Sequence, residues 1–175
     1  WPNVHHTIGK DILKTHGIYW PCMLKAAGIP IFKKLIVHGH WVVGGSKMSK
    51  SLGNVVNPLA IKDQIGVDAL RYFLLRDMSF GEDSNFTEEL AVTRYNSDLA
   101  NNFGNLMNRS ISMSRKNFHG CVPPSGKAEE KEKELHESFA EGVKNCRKFI
   151  INFQPHRALE NVASLSSKVN KYIDT

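Results

Sequence analysis

Two short β-forming runs, Val4 to Ile8 and Leu35 to Val43, flank a helical stretch, and that order leaves few ways to fold. Ile12, Leu13, Ile18, Met23 and Leu24 follow a helical apolar pattern from Asp11 onward, with a bend expected near Gly17 and Pro21. Ala26-Ala27-Gly28-Ile29-Pro30 then supplies a glycine stop followed by proline. Strand, crossover helix and strand make a parallel pair. The mostly apolar run from Leu35 to Val43 predicts one strand covered on both faces. Ligands of such sheets gather beyond the carboxyl ends of the strands. Gly9-Lys10-Asp11 and the segment from Gly45 to Ser51 both fall there. Two strands are too few to fill a sheet of this kind, so residues 1–46 read as part of a larger one.

The segment that carries most chemistry is Lys47-Met48-Ser49-Lys50-Ser51, followed by Leu52-Gly53-Asn54. Two lysines three apart with hydroxyls between them suit a polyphosphate. Each ammonium is a compact charge on a flexible stem, and Ser49, Ser51 and backbone N–H groups add neutral donors. Gly44, Gly45 and Gly53 tolerate backbone conformations that let a loop close over a ligand. A solvated, lysine-bearing loop is the plainer reading of the same residues.

Asp11, after a glycine at a strand end, suits ribose hydroxyls and equally suits the cap of a helix. His16 and Trp20, spaced i, i+4, share a helix face: a polar tip beside a broad apolar wall, fit for a thioether or for ordinary core packing. His5, His6, His38 and His40 raise the question of a metal. No carboxylate or cysteine completes a ligand spacing, so no protein-bound metal is expected.

The second half is helical. Asn57-Pro58 starts a short helix through Gln64, and Asp68 caps another carrying Leu70, Tyr72, Phe73 and Leu74. Phe80 to Ser84 reads as a loop. From Thr87 a helix begins whose apolar stripe is Leu90, Leu99, Phe103, Leu106, Met107 and Met113. Asn101, Asn105 and Arg109 line another face, where amides and a guanidinium can bond the edges of unstacked RNA bases or simply face solvent. Phe139, Val143, Cys146, Phe149 and Ile150 predict the buried side of the next helix. Pro155 opens a last one with Leu159, Val162, Leu165, Val169 and Tyr172. The mixed charges from Glu129 to Glu134 mark an exposed face.

Composition excludes more than it selects. With 41% hydrophobic and 23% charged residues the chain is neither a disordered segment nor a membrane protein built of apolar spans. Cys22, Cys121 and Cys146 stand far apart, which argues against a disulfide scaffold and a zinc knuckle and fits a reducing compartment. A net charge of +6 is compatible with a nucleic-acid partner.

Lys47 to Ser51 resembles the second signature of class I aminoacyl-tRNA synthetases. Gly9-Lys10-Asp11-Ile12, His16, Tyr19-Trp20-Pro21, Val37-His38-Gly39-His40 and Lys47 to Val56 follow the order and spacing of methionyl-tRNA synthetases, and Asp68 to Leu75 and Asp98 to Arg109 continue the likeness. The resemblance implies an α/β remnant of a Rossmann-type nucleotide-binding domain followed by an all-α helical bundle. Residues 1–46 would be the end of the catalytic domain, 47–85 the signature loop and stem-contact region, and 86–175 an incomplete anticodon-binding domain. It implies that Gly9, Asp11, His38, Gly39, Lys47, Ser49 and Lys50 bind ATP or the adenylate, Lys47 and Lys50 being catalytic. His16 and Trp20 would line the methionine pocket, and Asn101, Asn105 and Arg109 would read the anticodon. The implied substrates are methionine, ATP with Mg2+, and the initiator and elongator methionine tRNAs. The setting would be the bacterial cytoplasm, or a mitochondrial or other organelle matrix.

The early His-x-Gly-His signature of that class is absent, since His5-His6-Thr7-Ile8-Gly9 does not match it. A tryptophan that stacks on an anticodon base in the family would lie beyond Thr175. The sequence therefore predicts an internal fragment, inactive by itself. Two other readings stay open: another class I synthetase, which shares the lysine signature without needing the His16/Trp20 pocket, and a non-catalytic tRNA-binding fragment.

Overall fold

The computed structural model describes residues 3–48 and 53–174, with the side chain of Lys47 outside the description. Two compact units interleave along the chain, Trp1–Pro58 with Asp77–Thr87 and Leu59–Arg76 with Glu88–Thr175.

In the first unit β1 (His5–Gly9) and β2 (Lys34–His38) pair in parallel, with Gly9 opposite His38. The crossover runs through a short 3-10 turn (Lys10–Ile12) and a wide π-helical turn (Thr15–Tyr19) into α1 (Trp20–Ala26). The expected bend near Gly17 takes the form of that π turn: the Trp20 N–H reaches the carbonyl of Thr15, five residues back. Pro21, in the first turn of α1, needs no intrahelical donor. Ile8, Leu24 and Ile36 are buried here together with Met78 and Phe86.

The expected single strand from Leu35 to Val43 is broken. After His38 the chain leaves β1 and forms β3 (Trp41–Val43), which pairs antiparallel with β4 (Ser46–Lys47) and parallel with β5 (Ser84–Asn85). The break falls at Gly39, where a β carbon would lie 1.9 Å from the carbonyl oxygen of Glu82. A side chain at that position and the Glu82 backbone cannot occupy the same space. The stretch expected as a loop at Phe80 to Ser84 thus ends in a strand, sealed by the Trp41 and Phe86 rings edge to face at 5.8 Å.

The second unit is helical: α2 (Pro58–Ile65), α3 (Val67–Arg76), α4 (Glu88–Arg94), a π-helical segment (Tyr95–Gly104), α5 (Asn105–Phe118), α6 (Glu130–Ile151) and α7 (Pro155–Ile173). Asp68 lies inside the first turn of α3, where it faces the positive end of the helix, and does not cap it. Phe73 is the most deeply buried large side chain, with Ile61, Leu70, Ala91 and Ala158 also buried. Glu129 and Glu132 form a capping box at the start of α6. At the end of α5, His119 and Gly120 both take positive φ and stop the helix.

The apolar stripes read from periodicity are covered only in part. Leu90, Phe103, Met107 and Met113 remain 43–53% exposed, and Phe139, Val143 and Ile150 are 40–58% exposed. A helix covered along one side buries one narrow stripe. In α6 that stripe runs through Gly142, whose position leaves room for Leu165 of α7: a β carbon there would meet Leu165 Cδ1 at 2.5 Å. A cavity of about 410 Å³ borders this contact, lined by Phe103, Leu106, Phe139, Val143, Val162 and Leu165 among others.

Candidate functional site

The carboxyl ends of β1 and β2 carry the first group of expected residues. Gly9 closes β1, and the Asp11 carboxyl folds back over it: a β carbon on Gly9 would lie 2.7 Å from Asp11 Oδ1. His38 closes β2 half-buried, and its Nδ1–H donates to the Gly39 carbonyl at 2.9 Å. That bond leaves Nε2 of a neutral ring as the acceptor. The next histidine turns its ring toward Asp11, with Nε2 of His40 3.7 Å from Asp11 Oδ1. Gly9, Asp11, His38 and Gly39 are therefore brought to one edge.

His16 sits in the π turn, half-buried, with Nδ1 3.1 Å from the Ile12 carbonyl oxygen and its ring 6.3 Å from that of His6. Trp20 begins α1, also half-buried. A cavity of about 530 Å³ beside Asp11 is lined by Lys10, Asp11, Leu13, Lys14, Gly17 and Ile18, and His16 and Trp20 do not border it.

The lysine signature leaves from a hairpin. Gly44 and Gly45, with φ of 59° and 76°, make the two-residue turn that joins β3 to β4, and Lys47 pairs with Val42 across it. Both central residues of such a turn need positive φ, so the Gly-Gly dipeptide was the sequence signal for it. Ser49, Lys50, Ser51 and Leu52 lie outside the described residues. Among the described residues no group of three or more His, Cys, Asp or Glu side chains is gathered as metal ligands.

In the helical unit Asn101 is exposed on the π segment. Asn105 donates weakly to Asn170 Oδ1 at 3.5 Å. Arg109 is held rather than free, donating to the Asn170 carbonyl at 3.2 Å and pairing with the Asp174 carboxylate. Two residues absent from the sequence reading tie this face to α7. Asn102 donates to the Ala163 carbonyl at 2.8 Å and to Ser167 Oγ at 3.0 Å, and Asn170 donates back to Asn102. Their spacing across a loop and a whole helix gave no signal.

Nearer α3, Asp98 accepts from the Tyr72 hydroxyl at 2.8 Å and from Arg94 at 3.3 Å, with Arg76 Nε 3.7 Å away. Burial first, then the hydrogen bond to Asp98, pushes the Tyr72 phenol well above its ordinary range. Arg76 also reaches Glu160 at 3.4 Å. Arg94 and Asp98 stand i, i+4, a spacing from which the pair could have been found although the sequence reading did not draw it.

The parallel strand pair thus ends in Gly9-Lys10-Asp11 and His38-Gly39, and the hairpin of β3 and β4 leads into the lysine signature. Residues 1–111 match the family described as tRNA synthetases class I (M), and the chain belongs to it. It is 46% identical to methionine–tRNA ligase of Fusobacterium nucleatum and 42% identical to that of Rhizobium meliloti, alignments that take in 99% and 98% of the chain and 28% and 33% of those relatives. Methionyl-tRNA synthetase of Mycobacterium tuberculosis bound by methionyl-adenylate superposes with a TM-score of 0.93 at 41% identity, over 99% of this chain and 34% of that one. The chain thus spans about a third or less of the relatives it matches.

Proposed function

We propose that these residues work as part of a methionine–tRNA ligase, which activates methionine with MgATP to methionyl-adenylate and passes the aminoacyl group to tRNA. The observation that carries this is the likeness over nearly the whole chain to a synthetase holding methionyl-adenylate. The parallel strand pair is then the end of a Rossmann-type domain, residues 47–85 carry the signature loop and the stem-contact region, and residues 86–175 belong to an anticodon-binding domain.

Activation is an in-line attack of the methionine carboxylate on the α-phosphate of ATP, and pyrophosphate leaves. Such chemistry needs alignment and charge stabilisation more than a protein acid or base. Asp11 accepts ribose hydroxyls, while His38 and Gly39 border the adenine side of the adenylate. Ser49 donates to phosphate oxygens, and Lys50, supported by Lys47, meets the charge growing on the departing pyrophosphate. Mg2+ arrives with ATP and is held mainly by phosphate and water. His16 and Trp20 enclose the methionine thioether. Asn101 and Asn105 offer amides to anticodon bases, and Arg109 is oriented beforehand by Asn170 and Asp174. The initiator and elongator methionine tRNAs are the RNA substrates. The relatives named above are bacterial, so bacterial translation is the setting we favour.

Exchange of pyrophosphate into ATP tests the reading in the longest native form of the polypeptide. Exchange with methionine, and none with leucine, isoleucine, valine or cysteine, is the expected result. Lys50→Ala should lower the exchange rate much more than it weakens methionine binding. Exchange driven by a different amino acid overturns the methionine pocket. No exchange at all, in a protein that still binds tRNA, leaves an RNA-binding module.

A further inference from the structure

Among the described residues the parallel sheet of β1 and β2 has no third strand, and two connections leave its carboxyl end. Lys10 and Asp11 follow β1, and Gly39 and His40 follow β2. A single carboxylate from a distant part of the sequence reaches both. Asp83 Oδ2 lies 2.5 Å from Lys10 Nζ, and Asp83 Oδ1 accepts the backbone N–H of His40 at 2.7 Å. The next residue completes the grip, because the Ser84 N–H donates to the His40 carbonyl at 3.0 Å. Both backbone groups of His40 are thus bound by consecutive residues, and the Glu82 carbonyl presses on Gly39 so closely that only hydrogen fits there.

We propose that Asp83 is a positioning residue for the nucleotide half of the reaction. It locks the Gly39-His40 backbone and the Lys10-Asp11 turn relative to one another. This rests on the function proposed above. Asp83 acts through others: through His40 it fixes the Gly39 backbone and the ring that faces Asp11, and through Lys10 it fixes the turn that presents the Asp11 carboxylate. The Asp83 bonds fall on Lys10 and on the His40 backbone, whereas His16 is bonded one residue beyond Asp11, to the Ile12 carbonyl, so the larger effect falls on ATP and the smaller on methionine. The Lys10 pair, with the His40 N–H behind it, holds the Asp83 carboxyl below its ordinary value, and the group stays ionised at neutral pH.

The two oxygens are separable by substitution. Asp83→Ala removes both bonds. Asp83→Asn keeps an oxygen for the His40 N–H and loses the ion pair, as does Lys10→Ala from the other side. The test is methionine-dependent pyrophosphate exchange in the longest native form, with KM for ATP and for methionine read separately and folding checked by circular dichroism. Asp83→Ala is expected to raise KM for ATP roughly tenfold, the scale of a lost charge-assisted hydrogen bond. KM for methionine should stay within about twofold, a difference too small to count as a lost contact. Asp83→Asn and Lys10→Ala should each show the same, smaller rise.

A merely structural role lowers the amount of active enzyme and leaves both KM values alone. That result, or an equal rise in the two, overturns the proposal while wild-type exchange stands. If Asp83→Ala does not fold, Asp83→Asn and Lys10→Ala decide, unchanged ATP dependence in both being the overturning outcome. A wild-type protein without methionine-dependent exchange overturns the proposed function, and the role of Asp83 with it.

Discussion

The side-chain amide of Asn170 donates both to the backbone carbonyl of Asn102, at 3.0 Å, and to its side-chain carbonyl, at 3.2 Å. One residue of α7 thereby answers a backbone acceptor near the end of the π-helical segment and, through its own carbonyls, receives Arg109 and Asn105. The face that carries the expected anticodon residues is built on this pair.

Asn170→Ala is expected to destabilise the helical unit by about 1–3 kcal/mol, because it leaves half-buried polar groups without partners. Urea denaturation measures it. Asn102→Ala should cost a similar amount, and the double variant less than the sum, since the two share bonds. Full additivity would show that the contact carries no coupling.

Gly39→Ala places a β carbon 1.9 Å from the Glu82 carbonyl oxygen, and that neighbour is backbone. A flexible side chain can swing away; a backbone segment leading straight into β5, which is paired with β3, cannot. The expected loss is about 1–3 kcal/mol, toward the upper end of what overpacking costs. An unchanged urea midpoint would mean that the segment from Gly81 to Asn85 lies elsewhere in solution.

The hydroxyl of Tyr172 donates to the Glu132 carboxylate between α7 and α6. That bond lowers the Glu132 pKa below its ordinary 4.5, with Lys131 adding to the effect, and it raises the Tyr172 pKa above 10, with Glu129 adding there. The contribution from Glu132 is complete above its unfolded value and is lost as pH falls through the lowered folded one. The contribution from Tyr172 is complete below pH 10 and is lost as pH rises through the raised value. Tyr172→Phe should therefore lower the melting temperature at pH 7, and the gap between variant and wild type should close on acidification below pH 4.5. A gap that persists into acid would assign the tyrosine's contribution to its ring alone.

The order of elements was legible because periodicity and punctuation agree: Gly28 and Pro30 end the crossover, and Pro155 begins α7. The break after His38 was illegible, since Leu35 to Val43 is mostly apolar and the cause is Glu82, more than forty residues away. His40, weighed at first as a metal ligand, has its backbone N–H bound by Asp83 and its ring turned toward Asp11. The Asn101, Asn105 and Arg109 series was drawn on an ordinary helix, and the chain there is wound more widely. Arg109 was read as available, whereas partners some sixty residues on already hold it. Local pattern reports what a residue is, and distant backbone decides what it touches.

The stretch from Glu88 to Phe118 is one helical rod with a change of gauge inside it, where the Asn105 N–H bonds to the carbonyl of Ala100, five residues back. Residues before Tyr95 and after Gly104 are consequently out of step with any single helical wheel. The length of that segment is thus a setting in its own right: adding or removing one residue there would turn Arg109 away from Asn170 without altering any side chain. Such a rod keeps time by residue number.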